Sequence, residues 1–114
     1  MIVTTPRPPY YAVIFTSCKT NENTGYSEMA TNMIELAKTQ SGFLGFESAR
    51  EEIGISDSYW KDLKSIKNWK ENPEHLEAQK KGKENWYKSY KTRIAKVERD
   101  YEYSGKEVSY KTNE

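Results

Sequence analysis

Apolar and polar positions change period along this chain, and each change marks a new element. Tyr10–Cys18, YYAVIFTSC, is a run of aromatic and β-branched residues apolar on both sides, which predicts a central first strand. From Tyr26 the apolar positions fall at Tyr26, Met29, Ala30, Met33, Leu36 and Ala37, the spacing of one helical face, with Thr24 as the expected cap. Gly42 ends that helix and opens GFLGFESAREE, a second strand in which Phe43 and Gly45 alternate against Leu44 and Phe46. Gly54 marks a turn or bulge region, and IGISDSYW reads as a third strand. Its period of two puts Ser56, Ser58 and Trp60 on one face and Ile55, Asp57 and Tyr59 on the other.

Two short helical segments follow. Asp62 caps the first, which carries Leu63, Ile66 and Trp69 on one side. Asn72-Pro73 restarts the chain, with Asn72 as N-cap and Pro73 at the first helical position, where its missing N–H costs nothing. The second segment carries His75, Gln79, Gly82 and Trp86 as one helical stripe, and Tyr90–Glu98, YKTRIAKVE, returns as the last strand. The order strand, helix, strand, strand, split helix, strand predicts an α+β fold, the ferredoxin-like βαββαβ antiparallel sheet with helices on one face. Because the first strand is apolar on both sides, the uncovered face is expected to be buried by a second protomer, giving a homodimer. Residues 1–9 hold Pro6, Pro8 and Pro9 and read as an extended arm before a domain spanning 10–101. Residues 102–114 are polar and read as a loose tail or an arm on a partner subunit.

Composition narrows the function classes. Hydrophobic residues are 35% of the 114, but nine tyrosines, three tryptophans and three phenylalanines supply large buried areas to a thin core. Eighteen basic and seventeen acidic residues leave a net charge of +1, so no global field favours nucleic acid or an anionic membrane. The lysines around Trp86, Tyr87 and Tyr90 are interleaved with Glu77 and Glu84 and read as a solvated face rather than a single-strand binding surface. One His and one Cys exclude a His/Cys metal cluster and an intramolecular disulfide. No stretch approaches the ~20 apolar residues that span a bilayer, and the N-terminus lacks the apolar run of a signal peptide, which points to the cytoplasm.

Three strings carry a family resemblance. SGFLGFESAR (Ser41–Arg50), SYWKDLKSIKNWK (Ser58–Lys70) and EHLEAQKKGKENWYKSYKTRIAKVER (Glu74–Arg99) resemble the antibiotic biosynthesis monooxygenase domain over roughly residues 10–101. That resemblance implies a dimeric α+β barrel. It also implies one of two chemistries. In cofactor-independent oxygenases of the family, a substrate anion itself reduces O₂, and the protein need only deprotonate, hold and desolvate it. In the haem-degrading members a tryptophan matching Trp60 crowds the haem. Their first-strand asparagine is replaced here by the Thr16, Ser17, Cys18 segment, and their histidine ligand position holds Gln79, one turn beyond His75. The oxygenases' asparagine and tyrosine positions hold Ser56 and Ile66.

The candidate site therefore joins a strand face to a helical stripe. His75 is the expected base, kept neutral by its place at a helix start, and Trp60 the expected shaping wall. Ser56, Ser58, Gln79, Gly82 and Trp86 are the expected substrate-binding residues. Gly82 costs ~1 kcal/mol in a helix interior and so requires a close approach by ligand or sheet. The leading expectation is a cofactor-free monooxygenase of a small aromatic or quinol-like molecule. The alternatives are haem binding and degradation, and a non-catalytic small-ligand-binding or stress-related dimer.

Overall fold

A computed structural model describes residues 2–105. Its elements are β1 (Tyr10–Lys19), α1 (Tyr26–Lys38), β2 (Phe43–Arg50), β3 (Gly54–Trp60), α2 (Leu63–Lys70), α3 (Pro73–Lys81), a π-helical turn (Gly82–Trp86) and β4 (Tyr87–Val97). The four strands form one sheet in the order β2-β3-β1-β4 with every neighbouring pair antiparallel. This is the ferredoxin-like arrangement that the pattern predicts.

Local chemistry sets the boundaries. α2 starts where the Asp62 carboxylate accepts from the Ser65 amide at 2.8 Å. α3 starts where Asn72 Oδ1 accepts from the amides of Glu74 and His75, with Pro73 in the first turn. α1 departs from expectation, since its cap is Gly25 at φ 77° and not the Thr24 side chain. The helix still forms, because Met33, Leu36 and Ala37 gain more by burial than a cap supplies.

Two further expectations are corrected. A bulge lies between Phe43 and Gly45, so Phe43 pairs with Trp60 and Phe46 with Ser58, and both phenylalanines point to Trp60's side of the sheet. The helix begun at Pro73 does not run on regularly to Trp86. It widens into the π turn at Gly82, and β4 begins at Tyr87, three residues before the expected Tyr90. The extra residue in that turn rotates Trp86 away from the stripe that begins at His75. Of the expected tail, 106–114 lies outside the described residues.

The sheet has a covered and an open side. Tyr11, Val13, Phe43, Trp60, Met33, Leu36, Ala37, Ile66 and Trp69 form the core between sheet and helices. A second aromatic cluster occupies the other end of the covered side, where Phe15, Tyr26, Trp86, Tyr87 and Tyr90 meet edge-on or tilted at 5.0–6.0 Å between centroids. On the open side the N-terminal arm reaches the β2 margin, with the Val3 amide donating to Glu47 Oε2 and its side chain lying on Gly45. No helix among the described residues covers the rest.

Candidate functional site

Trp60 is the centre of the covered side, 0% exposed, with its indole N–H donating to Ser58 Oγ at 2.9 Å. The indole of Trp69 lies 5.9 Å from it in a stacked arrangement, and the His75 imidazole stacks on Trp69 at 4.2 Å. The three rings form one pile from sheet to α3. The space expected between Trp60 and His75 is filled by Trp69. Trp69 is the residue that sequence reasoning placed only as packing; its spacing from Ile66 on α2 and its six-residue distance from His75 held the signal.

His75 is fixed by its backbone surroundings. Its Nδ1 lies 3.1 Å from the Trp69 carbonyl, which only accepts, so Nδ1 carries the proton and Nε2 the lone pair when the ring is neutral. Desolvation lowers its pKa, opposed by that carbonyl contact. The ring is therefore neutral at physiological pH, the state a base requires.

The other expected site residues do not all gather here. Ser58 holds the Trp60 indole, and Ser56 sits two residues along the same face, across from Phe15. Gln79 is half-buried on α3. Trp86 belongs to the second aromatic cluster, its N–H donating to the Thr24 carbonyl at 3.1 Å. Gly82 is explained by close approach of protein, not of ligand: a Cβ there would meet the Tyr87 ring at 2.8–2.9 Å. At this same end the Arg50 guanidinium, unremarked in the sequence, donates to the buried Ser17 hydroxyl.

A groove opens instead between α1 and α3. About 510 Å³ in volume, it is lined by Met29, Asn32, Met33, Glu35, Leu36, Glu74 and Glu77. Met33 and Leu36 face two ways, since they floor this groove and also pack against the cluster that holds Trp60 and Trp69. The periodicity of α1 marked both residues as core, and core and groove floor are one surface here. Glu74 and Glu77 lie one helical face round from His75 on α3.

A haem does not fit these residues. Trp60 has no exposed surface for a macrocycle to lie on, and one face of His75 is covered by Trp69. Among the described residues no group of three or more His, Cys, Asp or Glu could hold a metal ion. No helix there is long and apolar enough to cross a membrane.

The sequence pattern of the antibiotic biosynthesis monooxygenases matches residues 9–81, from the end of the arm to the end of α3. The chain belongs to that family. An uncharacterized Bacillus subtilis (strain 168) protein, YqjZ, is 52% identical over 97 residues, covering 83% of this chain and 85% of its own. Among solved structures, SnoaB of Streptomyces nogalater, described as a cofactor-independent oxygenase, superposes with a TM-score of 0.70 at 9% identity, over 82% of this chain and 97% of SnoaB. A conserved protein of Methanosarcina mazei Go1 gives 0.64 at 16% identity, over 81% and 94%. At such identities these two likenesses establish the fold alone. This monooxygenase-family member thus keeps the scaffold with its own ring pile at the centre.

Proposed function

We propose that this protein is a cofactor-independent monooxygenase of a small aromatic or quinol-like molecule, working as a homodimer. The observation that carries this reading is the double role of Met33 and Leu36 as groove floor and core wall. A substrate ring entering between α1 and α3 and displacing these two side chains meets the core cluster that holds Trp69, and methionine is the apolar residue that rearranges most readily. Trp60, held by Ser58, backs Trp69 and fixes it as the wall that the bound ring meets, and half-buried Gln79 lies one helical turn beyond His75 on α3. His75 takes a proton from a substrate hydroxyl at Nε2 while Nδ1 stays bound to the Trp69 carbonyl. The resulting anion is the electron donor to O₂, and burial beneath the groove floor excludes water from it. Ser56, Gly82 and Trp86 then serve packing at the far end of the sheet. SnoaB, a cofactor-independent oxygenase on the same fold, supports the absence of a bound cofactor.

The test is oxygen uptake by purified protein with a panel of dihydroxyaromatics. Turnover is expected for at least one member without added metal, flavin or haem. His75→Ala should abolish it while leaving substrate binding measurable, and Met33→Trp, which plugs the groove floor, should weaken binding itself. Uptake unchanged in His75→Ala removes the proposed base.

A further inference from the structure

The groove between α1 and α3 has a sorted lining. Its floor is Met29, Met33 and Leu36, half-buried side chains on one face of α1. Its rim carries carboxylates on both walls, Glu35 from α1 and Glu74 and Glu77 from α3, all exposed. No lysine or arginine lines it among the described residues, although the chain as a whole holds eighteen basic and seventeen acidic residues. Its volume of about 510 Å³ falls within the ~300–1,000 Å³ of small-molecule sites.

The α3 wall keeps its charge. Glu35 is paired with Lys38 at 3.0 Å, the ion pair recorded among the described residues. Lys81 stands four residues beyond Glu77 on α3, the spacing at which glutamate and lysine pair along a helix, yet that pair is not formed among the described residues, and Glu74 meets no cation there either. Three residues apart, Glu74 and Glu77 share one side of α3 and repel each other. A cation held between them removes that cost.

We propose that the molecule this groove takes is a phenolic aromatic with a protonated aminoalkyl arm, its ring on the methionine floor and its ammonium at Glu74 and Glu77. The two halves of the lining match the two halves of such a molecule. Thioethers make favourable contacts with aromatic rings and adapt to their shape. The ammonium stays at an exposed rim, where it keeps much of its hydration and loses little on binding. An arm ending in a carboxylate meets like charge on both walls and is turned away. The arm also suits the proton transfer assigned to His75. Carboxylates at the rim oppose the formation of a substrate anion near them, and a positive charge carried by the substrate itself offsets that opposition.

This inference rests on the groove as the entrance in the proposed function and adds the substrate class. Three catechols that differ only in the arm on the ring, aminoethyl, ethyl and carboxymethyl, separate the two. Binding to the full chain is measured by titration calorimetry without oxygen, so that no readout depends on turnover. The aminoethyl compound is expected to bind about tenfold tighter than the ethyl one, the sum of two exposed ion pairs, and that preference should fade as salt is added. The carboxymethyl compound should bind weakest. Glu74→Gln combined with Glu77→Gln, at two exposed positions, should erase the difference between the aminoethyl and ethyl compounds. Equal affinity for all three arms in wild type overturns the inference and leaves the groove as the site of the proposed function. A preference that survives in the double variant overturns the role of the α3 carboxylates. Wild type that binds none of the three overturns the groove as an entrance and the inference with it. Tight binding of the aminoethyl compound with no oxygen uptake once oxygen is admitted supports the inference and overturns the monooxygenase reading alone.

Discussion

Replacing Trp69 by alanine removes the middle ring of the pile, and its effect can be worked out from the structure. Trp69 is 9% exposed, so nearly all of its indole is withdrawn from water. A tryptophan buries on the order of 200 Å², which at ~25 cal/mol per Å² gives ~5 kcal/mol as an upper limit on the transfer free energy. Large-to-small core substitutions of this kind cost about 3–5 kcal/mol, a large part of the ~5–15 kcal/mol that holds a domain together. Urea unfolding followed by circular dichroism should show that loss at pH 8. A second readout is specific to the pile. His75 has a lowered pKa in the folded state because it is desolvated, so the unfolded chain binds its proton more readily. Wild-type stability should therefore fall as the pH drops below the ordinary histidine pKa of ~6.5, and level off once the folded-state pKa is passed. With Trp69 gone the imidazole is rehydrated, and that part of the acid sensitivity should shrink. Indole or a small phenol added to the variant should raise its midpoint by filling the gap between Trp60 and His75. A loss below ~1 kcal/mol, or an acid profile parallel to wild type, would refute the claim that Trp69 fills this space.

Other substitutions test other parts of the fold. Gly82→Ala improves helix propensity yet forces a Cβ to 2.8 Å from the Tyr87 ring, so thermal unfolding should show a net loss of about 1–3 kcal/mol, and a gain would refute the close approach. Asn72→Ala removes the acceptor for the Glu74 and His75 amides and should cost ~1 kcal/mol in urea unfolding. Asp57→Asn tests the cost of a sealed carboxylate. Burial and Glu47 raise the Asp57 pKa, which makes its charged form costly to the fold above that pKa, so the amide should stabilise the protein at pH 8 and lose that advantage as the pH falls. Urea unfolding that shows no gain at pH 8 would contradict that cost.

Much of this was legible in the chain. The period of two in Ser56, Ser58 and Trp60 and the helical spacing of Met33, Leu36 and Ala37 survive intact, because burying one face is what both patterns encode. Asn72-Pro73 started its helix where the N-cap chemistry demanded. The bulge at Phe43–Gly45 and the π turn at Gly82 were not legible, since each is an extra residue absorbed to improve packing at a distance, Phe43 against Trp60 and Tyr87 against Gly82.

The candidate site divides along the same line. Sequence alone determined which residues were chemically able: one imidazole at a helix start, three tryptophans, a strand face bearing hydroxyls. Only tertiary structure decided which of them meet. Helical periodicity assumes 3.6 residues per turn, and a single π turn was enough to send Trp86 to another cluster, while α2, packing back on the sheet, drove Trp69 into the space between Trp60 and His75. The cross-strand pairing that sets Glu47, Asp57, Ile14 and Arg93 in one row across the sheet is likewise invisible in one dimension, because register between strands far apart in sequence is fixed by the sum of their pairings and not by any one of them.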